Sequence, residues 1–242
     1  MKKNIYKRHY NESVNHWWFE ARKIIISNIL KKHIKEKKNI LDYGCGVGIN
    51  LGILSKFGKV FYYDKSKLAI DYVKKKYTKK YFFYLSNNKL VKYKKKFDII
   101  IAADVIEHIK NDKKKIDELG SLLKKNGFIL ITVPAYQKLF SSKDISLKHY
   151  RRYTKDSLHK ILKDHFHEIE FTYFNFILFI PIAIMILFFK ITKINFIDSV
   201  EKKPNFLINK IAFYIFALEV FLIKKIKLPF GMSILFFGKK ID

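Results

Sequence analysis

The chain has 242 residues, with 49 Lys and Arg against 21 Asp and Glu for a formal net charge of +28. That length fits one α/β domain with additions, and the dispersal of the lysines, without aromatic-flanked RNA-binding signatures, favours an anionic membrane surface and excludes nucleic acid as the expected partner. A single cysteine, Cys45, excludes an internal disulfide and a CxxC metal site and points to a reducing compartment.

Residues 1–10 are charged and lack the apolar stretch of a secretory signal, so the mature chain is expected to start where the sequence starts. A helix is predicted near residues 17–32, packing its aromatic side on the domain. From residue 39 onward apolar runs alternate with helical patterns, the signature of a parallel sheet wrapped by helices. Strands are read at 39–43, 60–63, 81–84, 97–102 and 128–133. Helices fit between them at 49–56, 67–76 and 112–124, the last stopped by Asn126-Gly127, and a further helix runs from the N-cap Thr154 to Leu162.

Beyond this point the composition changes. Residues 176–189 are apolar throughout apart from Pro181 inside them, and residues 206–223 form a second apolar segment interrupted by Asn209, Lys210 and Glu219. The first is short for a membrane span, which needs about twenty residues. In the second, Asn205, Asn209 and Glu219 share similar helical faces, the pattern of a helix lying in a membrane interface or packed on a neighbour. Lysines 190, 193, 202, 203, 224, 225 and 227 flank both segments and suit lipid phosphates, at about 1 kcal/mol each. Peripheral attachment to a membrane is the leading reading, with a true span, a cap over the substrate pocket and a homodimer interface as alternatives. The segment 232–238 reads as a strand that returns the chain to the sheet, beside another at about 168–173.

The most informative stretch is Ile40-Leu41-Asp42-Tyr43-Gly44-Cys45-Gly46-Val47-Gly48-Ile49-Asn50-Leu51, a buried strand, a glycine turn and a helix start. Glycines at 44, 46 and 48 let a small molecule approach the backbone, and the helix beyond points free N–H groups at it. The dinucleotide fingerprint G-x-G-x-x-G would need a third glycine where Ile49 stands. Asp42 with the three glycines instead makes D-x-G-x-G-x-G, and here the chain resembles the class I S-adenosylmethionine (SAM) methyltransferases. The segment from Phe97 through Ala102-Ala103-Asp104-Val105-Ile106-Glu107-His108 resembles the fourth strand and following turn of the same family.

The resemblance, which covers about residues 16–165, implies a doubly wound seven-stranded Rossmann-like sheet of order 3-2-1-4-5-7-6 with the last strand antiparallel. The apolar helices then form an insertion between strands six and seven. One methyltransferase domain is expected over 1–242, with a helical cap (1–38), core (39–174), insertion (175–230) and final strand (231–242). It also implies SAM as the cofactor, held by Asp42, Gly44, Cys45, Gly46, Gly48, Asp64, Lys65, Ser86, Asn87, Ala102 and Ala103. Asp64, about twenty residues past the glycines, would accept from both ribose hydroxyls. Ser86 and Asn87 stand where relatives commonly carry an acid near the adenine amino group, so the chain departs from the pattern there. Cys45 fills a place needing a small residue and is not read as a nucleophile.

The loop after the fifth strand is the natural acceptor region. It holds Lys148-His149-Tyr150-Arg151-Arg152-Tyr153, which resembles the His-x-Arg-Arg-Tyr motif of a subset within the broad methyltransferase 11/12/23 group. That motif is often accompanied by an N-terminal segment like His16-Trp17-Trp18-Phe19-Glu20-Ala21-Arg22. His149 is the expected general base, since imidazole accepts a proton near neutral pH. His108 is a second catalytic candidate, though Glu107 and His108 have the alternative role of capping the turn. Trp18, Arg22, Tyr150, Arg151, Arg152 and Tyr153 are the expected acceptor contacts, the arginines holding a phosphate or carboxylate. His165 and His167 face one way along a strand without a third ligand, and no metal site is expected. The expected reaction is methylation of an oxygen on an amphipathic or lipid-linked acceptor, such as a polyprenyl-linked saccharide or quinone precursor, at the cytoplasmic face of the membrane. A non-catalytic membrane scaffold and an NAD-dependent oxidoreductase are the competing readings.

Overall fold

In the computed structural model, which describes residues 16–77, 82–86, 90, 92–192 and 205–241, two apolar clusters lie on opposite faces of one seven-stranded sheet. Successive side chains along a strand face opposite ways. In β1 (Lys38–Tyr43) Ile40 enters one cluster and Leu41 the other, and in β4 (Phe97–Ala103) Ile99 and Ile101 oppose Ile100 and Ala102. In β5 (Leu123–Pro134) Leu130 opposes Ile129 and Ile131. Burial on both faces is why these strands read as unbroken apolar runs. Each fully buried Ile or Leu is worth about 1.5–3 kcal/mol.

With β2 (Gly58–Tyr63), β3 (Phe82–Tyr84), β6 (Phe166–Phe174) and β7 (Ser233–Lys240), the order is β3-β2-β1-β4-β5-β7-β6. Strand β7 runs antiparallel to β5 and β6, while the remaining neighbours are parallel. This is the expected doubly wound sheet, with its last strand reversed. Helices α1 (Trp17–His33), α2 (Leu51–Leu54) and α3 (Lys67–Lys76) cover one face, and α4 (Asp112–Leu122) and α6 (Lys155–Leu162) the other. Between α4 and α6 lies the short α5 (Ser142–Ser146), and between β6 and β7 lie α7 (Phe179–Thr192) and α8 (Phe206–Lys225).

Two boundaries differ from expectation. Helix α2 is one short turn instead of residues 49–56, because Gly48 is left-handed at φ 79° and Gly52 weakens propagation. Helix α4 stops at Leu122 because Leu123 already pairs with Phe97 in the sheet. Asn126, at φ 60°, therefore lies inside β5 near a register shift and does not end the helix. Thr154 caps α6 as expected: Ser157 N–H donates to Thr154 Oγ1 at 3.2 Å and Thr154 N–H donates to Ser157 Oγ at 2.9 Å.

Helix α7 packs Phe179, Ile182, Ala183 and Ile186 near Leu139 and Met232, leaving Ile180, Ile184, Phe188 and Ile191 exposed. Helix α8 buries Phe216 and Val220 and exposes Phe206, Leu207, Ile211, Leu218 and Phe221. Among the described residues it is the one helix long and apolar enough to cross a membrane, by length and composition alone. Two members of the polar stripe of α8, Asn209 and Glu219, turn toward the protein, while Asn205 is exposed. Asn205 caps the helix by accepting from Ile208 N–H at 2.9 Å, Asn209 accepts from Trp17 N–H at 2.9 Å, and Glu219 accepts from Phe176 N–H at 2.7 Å.

Burial pushes the Glu219 carboxyl up to about 7, against the lowering effect of the Phe176 and Ile177 N–H groups. A carboxyl raised on folding contributes stability that is complete below its unfolded value, about 4, and is lost as pH rises through about 7. Glu219→Gln is therefore expected to melt above the parent protein at about pH 8 and level with it near pH 4, as read by thermal unfolding across that range. An identical melting difference at both pH values would contradict the assignment.

Candidate active site

At the carboxyl ends of β1, β2 and β4, the segment after β1 is a turn of left-handed backbone. Gly44, Gly46 and Gly48 have φ of 74°, 53° and 79°, a region costing other residues roughly 1–2 kcal/mol. A Cβ on Gly44 would lie 2.6 Å from Val105 Cγ2, and one on Gly48 would lie 3.0 Å from Leu51 Cδ1. A Cβ on Gly46 would meet nothing within 4 Å. Gly44 and Gly48 thus serve the packing, and Gly46 turns its bare backbone to open space.

Asp64 clamps this turn from β2. Its Oδ2 accepts from Gly46 N–H at 2.9 Å and its Oδ1 from Ser66 N–H at 2.8 Å. Each carboxylate oxygen keeps a lone pair for a hydroxyl donor. A cleft of about 300 Å³ opens beside it, lined in part by Tyr63, Asp64, Lys65 and Tyr84. Ser86 is half-buried just past β3, and Asn87 lies outside the described residues.

Asp42 lies beneath the turn, buried, with Oδ2 lacking a hydrogen-bond partner. Burial pushes its carboxyl up to about 7, opposed by the Arg22 guanidinium and aided by Asp64. Burial likewise pushes the Cys45 thiol well above its ordinary value, so no reactive thiolate forms near neutral pH. Ala102 and Ala103 end β4 with buried side chains. The next residue, Asp104, is left-handed at φ 56° and accepts from Thr132 Oγ1 at 2.9 Å.

Several expected acceptor contacts sit elsewhere. Arg22 is buried and ion-paired with Asp104, its Nε without a partner, and so is not presented over the mouth. Trp18 is stacked on Phe174 at 5.7 Å between centroids and lies 5.5 Å from the Phe216 ring, a place in an aromatic cluster with α8. Arg152 is buried and committed to Asp144, donating from Nε to Oδ1 at 2.9 Å and from Nη2 to Oδ2 at 2.8 Å. Arg151 pairs with Asp112 and donates to the Lys110 carbonyl at 2.7 Å. The buried Tyr153 hydroxyl donates to Asp112 at 2.8 Å. Tyr150 is the most open to solvent of these, with Arg151 partly exposed. The arginines tie the loop to the body because the nearest carboxylates, Asp112 and Asp144, belong to the chain itself. His165 pairs with Asp117 and takes no part in a ligand cluster with His167.

The two catalytic candidates do meet. His108 and His149 stand edge to face with ring centroids 4.5 Å apart. His149 Nδ1 is 2.8 Å from Asp144 Oδ1, which commits that nitrogen and leaves Nε2 for other partners. Burial, joined by the neighbouring His149, lowers the His108 imidazole below its ordinary value. Burial works to raise the Asp144 carboxyl, but hydrogen bonds from His149 and Arg152 outweigh it and hold the group well below the usual range. Glu107, completely buried, is driven well above its ordinary value by burial and by nearby Asp104. Asp144 is the residue that the motifs do not single out. Its only signal is the Ser141-x-x-Asp144 spacing of a capping box, which the structure forms around α5.

Comparison with known proteins bears on this geometry. Residues 10–165 match the family described as a methyltransferase domain. A Pelagibacter ubique protein named ubiquinone biosynthesis O-methyltransferase is 37% identical over 103 residues, covering 40% of this chain and 43% of that protein. The chain thus spans less than half the length of that relative. A SAM-dependent methyltransferase from Archaeoglobus fulgidus superposes with a TM-score of 0.56 at 16% identity, covering 90% of this chain and 94% of that one. The N-methyltransferase NodS from Bradyrhizobium japonicum, solved with S-adenosylhomocysteine (SAH), superposes at 0.55 with 12% identity, covering 93% and 88%. The sheet order, the glycine turn and the extent of the family match agree: this chain belongs to the methyltransferase domain family.

Proposed function

We propose that the chain binds SAM across the Gly44–Gly48 turn and transfers its methyl group to an oxygen of an amphipathic or lipid-linked acceptor. The observation that carries the cofactor reading is Gly46, whose left-handed backbone faces open space while its N–H is clamped by Asp64. In this reading Asp64 takes the ribose diol beside Lys65, and Ser86 lies toward the adenine. Ala102 and Ala103 flank the amino-acid end. Arg22, paired with Asp104 just past Ala103, belongs with that end and not with the acceptor. Methyl transfer is an in-line displacement, so the protein mainly aligns the acceptor and excludes water. The acceptor oxygen meets the His108–His149 pair, where its proton is withdrawn.

The exposed apolar faces of α7 and α8 support an acceptor taken from a lipid surface. Lys190, Lys210, Lys225 and Lys227 lie on or beside these helices, and the chain is strongly basic, which suits anionic lipid. The protein then sits peripherally on the cytoplasmic face of the membrane, with Asn209 and Glu219 of α8 holding the helix to the body. The relative named for an O-methylation in ubiquinone biosynthesis is in line with an oxygen acceptor.

The test is titration calorimetry with SAH, followed by transfer of label from SAM to a membrane lipid extract presented in anionic vesicles. SAH binding lost in Asp64→Ala, flotation of the protein with the vesicles, and label transfer lost in His149→Ala with SAH binding kept are expected. No SAH binding by the parent protein would end the cofactor reading, and failure to float with anionic vesicles would end the membrane reading.

A further inference from the structure

Glu107, His108 and His149 bring one carboxylate and two imidazoles together, with their ligating atoms all within 4.8 Å of one another. Glu107 is completely buried, and neither of its carboxylate oxygens has a hydrogen-bond partner. An ionised carboxylate left so is strongly destabilising, and a protonated one still leaves its O–H and its second oxygen unmatched. A bound cation would satisfy the group.

One imidazole is already oriented for that role. His149 Nδ1 is held by Asp144 Oδ1 at 2.8 Å, so that ring has one nitrogen committed to a protein oxygen and Nε2 left for an ion. A carboxylate behind a histidine is the arrangement that fixes tautomer and ring direction at metal sites. Asp144 is itself immobilised by Arg152 and by the N–H and hydroxyl of Ser141. The Asp144–Arg152 pair thereby acquires a purpose beyond tying down the loop. Neither histidine is fully buried, although the His149 side chain is only 9% exposed, so the cluster is not sealed from solvent.

We propose that Glu107, His108 and His149 form a site for a divalent transition-metal ion whose open positions receive the acceptor's oxygen. Two imidazoles and a carboxylate suit Zn²⁺, Fe²⁺, Mn²⁺ or Co²⁺ better than Mg²⁺ or Ca²⁺, which favour oxygen ligands. The binding stands on geometry alone, and the chemistry rests on the methyl-transfer reading. A hydroxyl bound to the ion gives its proton to solvent water, because the cation stabilises the alkoxide. That oxygen forms a bond to the methyl carbon as the carbon–sulfur bond breaks. The electron pair stays on sulfur, and the sulfonium becomes a neutral thioether. His149 then serves as a ligand, replacing the general-base role that the sequence suggests.

The experiment is titration of chelator-treated protein with Co²⁺, followed by visible absorption and equilibrium dialysis, with SAH affinity measured on the same samples. Saturable binding of one ion per chain is expected, with affinity weakened by about 100-fold or more in Glu107→Gln and in His149→Asn, and about 10–100-fold in Asp144→Asn. Glu107→Gln keeps the shape of a buried side chain, and His149→Asn alters a residue of a separate segment that keeps slight exposure, so the two variants do not share one folding hazard. Absence of saturable binding, or binding unchanged in both Glu107→Gln and His149→Asn, overturns the site. SAH binding without cation binding overturns the metal proposal alone, whereas cation binding without SAH binding supports the site and ends the methyl-transfer reading.

Discussion

Gly46→Ala is expected to keep the protein folded and to weaken SAH binding by about 100-fold, or ~2.7 kcal/mol. The two effects separate because the added methyl group enters space that only a ligand would fill: a Cβ there meets no protein atom within 4 Å. The folded state bears only the left-handed backbone cost at φ 53°, roughly 1–2 kcal/mol. Gly44→Ala is the control. Its Cβ would lie 2.6 Å from Val105 Cγ2 and 2.9 Å from Cγ1, so it should lose more thermal stability than Gly46→Ala. Calorimetric titration and thermal unfolding of both variants give the comparison. Unchanged SAH affinity in Gly46→Ala would remove the turn from the binding site.

Asp144→Ala is expected to cost about 3–5 kcal/mol of folding stability, because it leaves the buried Arg152 guanidinium without its counter-charge. Urea unfolding measures this directly. Adding Arg152→Met to Asp144→Ala should recover part of the loss, since the uncompensated charge is then gone as well. The parent protein should show the same group in its acid limb. Folding depresses the Asp144 carboxyl, so its contribution is complete above the unfolded value of about 4 and is lost as pH falls through the lower folded value. A loss under 1 kcal/mol in Asp144→Ala would mean that the pair is solvated in solution, as exposed pairs usually are.

The sheet was legible because its signal is local and redundant. Ile99, Ile100 and Ile101 follow one another without polar interruption, and only a strand covered on both faces buries all three. The glycine turn was legible because left-handed backbone leaves a mark in residue type. The His-x-Arg-Arg-Tyr block marks a place without revealing direction. Whether Arg152 points at a ligand or at the protein depends on Asp144, eight positions earlier and on a separate helical turn. The same limit hid the role of Trp18, whose partners Phe174 and Phe216 arrive from β6 and α8. Polar spacing in α8 was visible, but its outward or inward sense depended on where Trp17 and Phe176 present their N–H groups.

The aromatic stack of Trp18, Phe174 and Phe216 has a consequence for how the gene can be edited. Segments inserted between neighbouring strands are ordinarily the most dispensable parts of a fold, and trimming them is a common route to a more tractable protein. Here Asn209 and Phe216 hold Trp17 and Trp18 at the start of α1, five and four residues before the Arg22 that reaches Asp104. The greasy appendage and the polar heart of the molecule are thus one inheritance. A version shortened by removing these apolar helices would also lose the roof that packs over the start of α1.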